Sequence, residues 1–384
     1  MAELLAGMCV RHKAAALILR GEDEPPADQF FLQHCDWVEE IVRSFSGNSS
    51  AQQMVRNGKR FAALLRGKPM WVADWESKVY AERVDSIVRT WKPDLIQVET
   101  HVMAQYLSTL QDKVPPRVLT EYEPGILSSP YLKAGPPRIR QLAHHFDRIA
   151  WRRYEPEAIQ AVQGVVVFTP QDRDALKTVS GTVPIHLIPF GTRLPERPLD
   201  SRGQSPASLL FIGSFIHPPN ANAALRLARD IFPLVKTKFP DLTVYIVGDQ
   251  PPEEIKRLSG QGILNTGWVP DITPYLNRAA VFVAPLDSGS GMRVKILEAM
   301  AAGKAIVATP LAVQGLDVKN GEQVLLASSD KDIADCIVQL LEDPIKRMEL
   351  AASARAWACE NLGWDRSISR YESIYTALIM GSGE

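Results

Sequence analysis

Cysteine is scarce in this sequence, and so are the other marks of a metalloprotein or an exported protein. The 384 residues contain only four cysteines, scattered without a CxxC pair, and no histidines cluster at metal-ligand spacing. This pattern argues against a zinc site and predicts a reducing compartment. The longest apolar run near the start, residues 14–19, is too short to cross a bilayer and lacks a signal peptide's layout. We therefore expect a cytoplasmic protein that needs no metal.

An excess of charge of one sign is also missing. The formal net charge is −1, which argues against a protein that binds nucleic acid through bulk charge. A local exception is a group of arginines that predicts either a solvated helix face or a peripheral contact with a membrane. These are Arg138, Arg140, Arg148, Arg152 and Arg153. The chain is too long for one ordinary domain, and we expect two.

Short apolar runs alternate with helical patterns, which predicts doubly wound parallel sheets. In the second half the predicted strands are 208–214, 242–248, 263–269, 281–286, 305–309 and 324–327. In the first half they are 14–19, 95–98, 117–120 and 165–169, with helices at 30–45, 77–90 and 138–161. Residues 189–207, rich in proline, glycine and charge, are predicted to be a linker.

Residues 287–310 read DSGSGMRVKILEAMAAGKAIVATP and carry the clearest chemical signal. Small residues, among them Gly289, Ser290 and Gly291, join a predicted strand to a predicted helix. Such a turn exposes backbone N–H groups and the positive end of the helix dipole, which suits an anion. Arg293 and Lys295 add charge for a phosphate, and Glu298 follows about one turn later, where it could bind a sugar hydroxyl. The combination predicts a site for a diphosphate joined to sugars.

Several motifs in a fixed order extend this signal. They are LLFIGSFIHPPNANAAL at 209–225, VYIVGDQP at 244–251 and TGWVPDITPYL at 266–276, followed by the 287–310 stretch. The chain thereby resembles the family 4 (group 1) glycosyltransferases. That resemblance implies an α/β fold of GT-B architecture, with two doubly wound parallel-sheet (Rossmann-like) domains facing across a cleft. It also implies an acceptor-side domain at 1–190, joined by a returning helix at 365–384, and a nucleotide-sugar domain at 191–364.

The resemblance further implies an activity and a role for individual residues. The activity is retaining, metal-independent transfer of a sugar from a nucleotide diphosphate sugar, a co-substrate rather than a cofactor, to a glycan or lipid-linked acceptor. Arg293 and Lys295 would hold the diphosphate, Glu298 the ribose and Val269 the base, while Gly213 and Ser214 would meet the donor phosphate through their backbone. Ser290 departs from the family pattern, since relatives carry a donor-contacting glutamate there.

Candidate acid/base residues follow strands of the first half. Glu99 and His101 come after one predicted strand, and Glu121 after the next. The carboxyl ends of parallel strands meet at one edge of a sheet, so these side chains are expected near a common site. Asn220 is predicted to be a helix N-cap. The DxD patterns at 172–174 and 330–332 are interpreted as helix starts rather than metal ligands.

Two rival functions remain open. Relatives begin with a strand and a glycine-rich loop, whereas this sequence begins at what resembles the helix after that loop. The protein could therefore bind a nucleotide sugar without transferring it. A non-hydrolysing nucleotide-sugar 2-epimerase shares the architecture, although it would need acid/base groups that the SGSG loop does not supply.

Overall fold

The computed structural model describes residues 2–22, 24, 26–27, 29–43, 50–110, 115–122, 124, 137–289 and 292–381. The chain divides into two compact units. The first unit is Met1–Pro189 with Ser367–Glu384, and the second is Phe190–Arg366.

The second unit is built on a six-stranded sheet in which every strand pair is parallel. Its strands are β7 Ser208–Ile212, β8 Thr243–Val247, β9 Ile263–Gly267, β10 Val281–Ala284, β11 Ala305–Ala308 and β12 Leu325–Leu326. The spatial order is β12-β11-β10-β7-β8-β9. Every residue of β10 and β11 is buried, because helices cover both faces of the sheet. Runs without polar alternation therefore predicted these strands correctly.

Helices connect these strands. They are α8 Pro218–Arg226, α9 Phe232–Lys236, α10 Glu253–Lys256, α11 Thr273–Arg278, α12 Val294–Ala301, α13 Asp330–Glu342 and α14 Pro344–Asn361. A π-helical turn, Leu227–Ile231, joins α8 to α9, and a 3-10 turn, Pro310–Val313, follows β11. One continuous core contains the strands and the inner faces of the helices.

Residues 190–207, most of the predicted linker, lie along the second unit as an ordered strap. Lys304, whose side chain is fully buried, donates from Nζ to the Asp200 carbonyl at 2.5 Å. Arg347 donates to the carbonyls of Ser201 and Arg202 at 3.2 and 3.0 Å. Arg355 donates to the Pro195 carbonyl. The strap is therefore held through its main chain by cations of α14 and of the turn after α12.

The first unit has its parallel strands in two separate sheets. One pairs β1 Ala15–Gly21 with β2 Trp37–Arg43. The other has the order β3 Ile96–Glu99, β4 Arg117–Glu121, β5 Gly164–Val167 and β6 Ile185–Leu187. β5 is buried along its whole length, whereas most residues of β1 and β3 are only half-buried.

The helices of the first unit surround these strands. They are α1 Ala2–Cys9, α2 Gln29–His34, α3 Ser50–Leu65, α4 Met70–Asp74, α5 Lys78–Trp91, α6 Pro137–Gln160, α7 Pro170–Lys177 and α15 Trp364–Gly381, with a 3-10 segment at Met103–Thr109. From Ser367 onward, α15 belongs to this unit, and Ser367 donates from Oγ to the Pro189 carbonyl at 3.0 Å.

The helix predicted at 30–45 is confirmed only as far as His34 and is wrong beyond it, and its residues 44 and 45 lie outside the described residues. Its apolar residues also match a helical period, but the chain leaves α2 at Cys35 and forms β2 instead. Asp36 begins the pairing with β1, because its N–H donates to the Ala14 carbonyl at 2.9 Å. Glu40 of β2 then binds Arg20 of β1 at 2.6 Å. Pairing with a distant strand, which local periodicity does not report, decided the structure.

Candidate functional site

The strand order of the second unit creates a crevice at a defined place. Chain order runs outward from β7 to β8 and β9 on one side, and from β10 to β11 and β12 on the other. The carboxyl ends of β7 and β10 therefore flank the topological switch point, where open α/β sheets bind ligands. We call the loops that follow these two strands, with the first turns of α8 and α12, the switch-point crevice.

Gly213 and Ser214 form the β7 side of the crevice. The Gly213 N–H donates to the Val247 carbonyl at 3.0 Å, so it continues the ladder past the end of the strand. A Cβ at Gly213 would lie 2.9 Å from both Asn220 Cγ and Lys295 Nζ. Only glycine lets these two side chains approach the backbone so closely.

Asn220 does not cap α8, contrary to the sequence prediction. His217 occupies the N-cap position, and Asn220 is the third residue of the helix. Its Nδ2 donates to the Ser214 carbonyl at 2.8 Å, while its Oδ1 accepts from Lys295 Nζ. Asn220 thus ties the β7 loop to the lysine of α12, a role that no local pattern indicated.

The β10 side of the crevice carries the small-residue turn. Gly289 has φ +111°, a left-handed conformation that favours glycine, and a Cβ there would lie 3.2 Å from Pro219 Cγ. The β10 turn therefore closely approaches the first turn of α8. Arg293 occupies the N-cap position of α12, and one of its terminal nitrogens would lie 3.4 Å from a Cβ at Gly289. Ser290 and Gly291 lie outside the described residues.

Lys295 has a strongly lowered pKa. Burial, with a smaller contribution from the neighbouring Arg293 and an opposing one from Glu298, brings the pKa of Lys295 to about 7. Its Nζ also lies 4.8 Å from the centre of the Phe211 ring. A desolvated lysine beside an arginine is arranged to gain from a bound anion, since an anion would restore its full charge.

Glu298 lies one turn further along α12, on the same side as Lys295. Its neighbours Leu297, Ala299 and Met300 are fully buried, so the carboxylate is held at the margin of the core. Burial raises the pKa of Glu298, and Lys295 partly offsets this. The helix therefore presents a cation and a carboxylate in register at one crevice.

Val269 lies apart from this cluster along the sheet. It follows β9, the edge strand, and β8 separates β9 from β7. Val269 packs half-buried against the core, while its neighbour Trp268 is exposed. Structure thus brings together Gly213, Ser214, Gly289, Arg293, Lys295 and Glu298, and places Val269 two strands away.

In the first unit, His101 and Glu121 form a buried pair. Nδ1 of His101 lies 2.5 Å from Glu121 Oε2, and the His101 backbone N–H donates to the same oxygen at 3.1 Å. His101 is only 2% exposed, with its ring in edge contact with Trp71 and Trp151. Within the described residues, neither ring nitrogen of His101 makes a hydrogen bond of regular geometry, although Nδ1 lies against the Glu121 carboxylate. The carboxylate thus contacts one side of the imidazole, and Nε2 on the other side has no hydrogen-bond partner among these residues.

Glu99 ends the neighbouring strand and has a different environment. It accepts from the Tyr122 hydroxyl at 3.0 Å and from the Gln97 amide. Burial raises its pKa to about 7, against the effect of both hydrogen bonds. A carboxyl group with a pKa near 7 can act as acid or base at neutral pH.

The DxD patterns serve helix starts. Asp172 and Asp332 each receive a hydrogen bond from the N-cap residue of their helix, Thr169 and Ser329, and each donates its N–H to that residue at 3.1 Å. Among the described residues, no group of three or more His, Cys, Asp or Glu side chains could hold a metal ion.

Sequence comparison supports a known family for the second unit. Residues 206–343 match the family model for glycosyl transferases group 1. A phosphatidyl-myo-inositol mannosyltransferase of Mycobacterium tuberculosis is 28% identical over 196 residues, 48% of this chain and 50% of that protein. An uncharacterized glycosyltransferase of Methanocaldococcus jannaschii is 24% identical over 193 residues, 48% of each. The chain spans about half the length of the curated relatives it matches.

Solved structures resemble nearly the whole chain. A sucrose-phosphate synthase from Thermosynechococcus elongatus has a TM-score of 0.67 at 18% identity, covering 96% of this chain and 100% of that one. Anabaena HepE, solved with UDP and glucose, has a TM-score of 0.63 at 15% identity, covering 95% and 100%. At these identities the likeness shows the fold, and it confirms the predicted α/β, GT-B type.

Proposed function

We propose that this chain, in which residues 206–343 form a domain of the glycosyl transferases group 1 family, transfers a sugar from a nucleotide diphosphate sugar to an acceptor hydroxyl. The observation that carries the proposal is the position of Lys295, which lies half-buried at the switch point of the sheet and has a pKa of about 7. A diphosphate leaving group develops negative charge during transfer, and pre-positioned cations stabilise that charge.

Different residues of the switch-point crevice would bind different parts of the donor. Arg293, Lys295 and the amino-terminus of α12 would hold the diphosphate. Glu298 would accept hydrogen bonds from the ribose, and the Gly213–Ser214 backbone would approach the donor phosphate. Val269 would meet the base. In this proposal no metal or other cofactor takes part, because side-chain cations supply the countercharge, and the transfer retains the anomeric configuration.

The first unit would supply the acceptor side of the reaction. In this proposal Glu121 holds the His101 ring from the Nδ1 side, and Nε2 would accept the proton of the acceptor hydroxyl. Glu99, with a pKa of about 7, is the second acid/base candidate. One observation favours the rival function, binding without transfer. His101 is 2% exposed beneath Trp71 and Trp151, so the ring must become accessible before it can act.

A glycan or lipid-linked acceptor is part of the same proposal. Leu142, Phe146 and Ile149 form an exposed apolar stripe on α6, with exposed fractions of 57%, 50% and 49%. The exposed Arg148 and Arg152 lie on the same helix. An apolar stripe beside arginines suits a peripheral contact with an anionic membrane surface. In the described part of the chain, no helix has the length and apolar character to cross a bilayer. The four free cysteines agree with a cytoplasmic location.

Calorimetry and a turnover assay test the two halves of the proposal. The double variant Arg293→Ala/Lys295→Ala and the single variant Glu298→Ala should each weaken binding of UDP or GDP by more than tenfold. A Lys238→Ala/Lys319→Ala double variant, which removes two exposed cations of the same unit, is the matched control and should bind normally. Unchanged affinity in both site variants would refute the site.

Turnover separates the candidate functions. A panel of nucleotide sugars with glycan and lipid acceptors should give nucleotide diphosphate and a glycosylated product, and His101→Asn should reduce product without weakening nucleotide binding. Tight donor binding without product under all conditions would support the binding function instead. Release of a free epimerised sugar would identify the 2-epimerase.

A further inference from the structure

Three arginines of the first unit converge on one aspartate. Arg56 and Arg60 of α3 both bind the carboxylate of Asp74, the last residue of α4, at 2.7 Å from Arg56 Nη2 and 3.0 Å from Arg60 Nε. Arg43, the last residue of β2, donates from Nη1 to the Asp74 carbonyl. Its guanidinium carbon also lies 4.0 Å from the centre of the Trp75 ring. We call Arg43, Arg56, Arg60 and Asp74 the arginine cluster.

The arginine cluster has more positive charge than its carboxylate can balance. One arginine would neutralise Asp74, and the cluster contains three. A positive surplus remains even when Glu24 is counted, a carboxylate that also attracts Arg43 but accepts the Gly21 N–H at 2.8 Å. Burial lowers the pKa of Arg43, and within the described residues its buried Nε has no hydrogen-bond partner. Surplus charge that is partly removed from water gains free energy when an anion binds beside it.

Two of these arginines also have donors that the aspartate does not use. Arg56 and Arg60 each bind Asp74 through Nε and Nη2, and neither Nη1 has a partner in the part of the chain that the structure describes. The side chain of Arg56 is 44% exposed and that of Arg60 15% exposed, so both lie at the protein surface. A guanidinium that is fixed along one edge can offer its remaining N–H groups to a second oxyanion in a defined geometry.

The short helix α4 connects the arginine cluster to His101. Trp71, in the first turn of α4, packs edge to face against the His101 ring, with ring centres 5.2 Å apart. Trp75, which contacts the cluster, follows α4 and lies about 6 Å further along its axis. Gln105 holds this helix in place, because its Nε2 donates to the Val72 carbonyl at 3.1 Å. The cluster therefore lies roughly one helical turn beyond the imidazole to which the proposed function assigns the acceptor hydroxyl.

We propose that the arginine cluster binds a phosphate group of the acceptor. This inference rests on the proposed function, because it takes His101 as the residue that meets the acceptor hydroxyl. Phosphate oxygens would accept hydrogen bonds from Nη1 of Arg56 and of Arg60, and Arg43 would contribute charge from the end of β2. Cations that arrive from two elements suit a tetrahedral oxyanion with several acceptor oxygens. The substrate class is then a phosphorylated sugar or polyol, either free or as a lipid headgroup.

Calorimetry with inorganic phosphate tests the site without turnover. The background is the Arg293→Ala/Lys295→Ala variant, so that the switch-point crevice does not compete for phosphate. Arg56→Gln should weaken phosphate binding about tenfold, the value of one charge-assisted hydrogen bond. Arg83→Gln is the matched control and should bind normally, because Arg83 is 40% exposed and binds the Glu39 carboxylate through two nitrogens, each at 2.7 Å. Absence of phosphate binding, equal effects of the two glutamines, or acetate binding as tight as phosphate would overturn the proposal.

Two further ligands distinguish the sources of the phosphate. Glucose 1-phosphate represents a free sugar phosphate, and phosphatidylcholine vesicles with phosphatidic acid as the minor lipid represent a phosphorylated headgroup. One of the two should bind at least tenfold more tightly than inorganic phosphate and should lose this advantage in Arg56→Gln. If neither ligand bound more tightly, or if Arg56→Gln left the advantage unchanged, the assignment to the acceptor would be overturned.

Asp74→Asn separates a binding role of the arginine cluster from a structural one. Removing the competing carboxylate frees arginine donors, so phosphate binding should tighten roughly threefold to tenfold although the urea midpoint falls. An ion pair that only joins α3 to α4 would lose stability without any gain in phosphate affinity, and that result would contradict the proposal.

UDP titrations of the otherwise unchanged protein and of Arg56→Gln keep the two proposals apart, since the two should bind UDP equally. Phosphate binding as expected, without binding or consumption of nucleotide sugars, would refute the proposed function and leave the phosphate site standing. Sugar transfer by a protein that binds no phosphate at the cluster would support the proposed function and overturn this inference.

Discussion

Replacing Lys295 with methionine is expected to stabilise the folded protein and to weaken its nucleotide site. Burial lowers the pKa of this lysine from 10.5 to about 7. If the group were wholly removed from water, the difference would correspond to about 5 kcal/mol of unfolding free energy. Because Lys295 is only half-buried and water reaches it, we expect a gain of roughly 1–3 kcal/mol for Lys295→Met at pH 6.

The pH dependence follows from the direction of the pKa change. Between pH 7 and 10.5 the unfolded chain keeps a proton on Lys295 that the folded protein has released. The free energy of unfolding of the unchanged protein should therefore rise with pH in this window, because the cost of the buried charge is present below pH 7 and is lost above it. The variant lacks this contribution, so its advantage should shrink as the pH rises towards 10. Urea unfolding at pH 6, 8 and 9.5 measures the difference.

Nucleotide affinity should change in the opposite direction. A bound diphosphate stabilises the charged lysine, so UDP or GDP binding should weaken as the pH rises from 7 to 9. Loss of one charge-assisted hydrogen bond should weaken binding at pH 7 by roughly tenfold to a hundredfold. Lys304→Met is the control, because Lys304 is buried with a pKa of about 8 but binds the Asp200 carbonyl of the strap. It should alter the pH dependence of stability and leave affinity intact. If Lys295→Met left both the pH profile and the affinity unchanged, the reasoning would be refuted.

Two further substitutions test other contacts. Gly213→Ala would place a Cβ 2.9 Å from Asn220 Cγ and Lys295 Nζ, so nucleotide affinity measured by calorimetry should fall about tenfold. The control is Gly58→Ala, where a Cβ would have nothing within 4 Å; it should only raise the free energy of unfolding, by roughly 0.5–1 kcal/mol. Equal nucleotide affinities of the two variants would contradict the close approach at Gly213. Glu99→Gln should stabilise the protein at pH 8 but not at pH 4. The pKa of Glu99 is raised to about 7, so the folded protein loses stability relative to the unfolded chain as the pH rises from 4.5 to 7, and the variant escapes this loss. An equal change in the urea midpoint at both pH values would contradict this.

The sequence predicted the second unit better than the first, for a physical reason. Its central strands β10 and β11 are buried on both faces, so their apolar runs identify them without tertiary information. The charges of Arg293 and Lys295 beside the small-residue turn likewise placed the candidate site. In contrast, β2 depends on pairing with β1, and its residues also fit a helical period.

Contacts between distant residues account for what the sequence did not predict in the site. Asn220 reaches Lys295 across 75 positions of sequence, and the pKa of Lys295 depends on how deeply that contact is buried. The burial of His101 against Trp71 and Trp151 likewise depends on residues that are distant in sequence. Residue types indicated which chemistry was available, whereas accessibility required the folded chain.

The way in which the strap at residues 190–207 is held affects which substitutions it tolerates. Lys304, Arg347 and Arg355 bind its carbonyl oxygens, which every amino acid provides. Many side chains along the strap can therefore be exchanged while its course is kept. Gly203 is an exception, because a Cβ there would lie 2.7 Å from the backbone nitrogen of Ala280. Much of the information that fixes the path of the strap resides in three cations more than a hundred residues further along the chain.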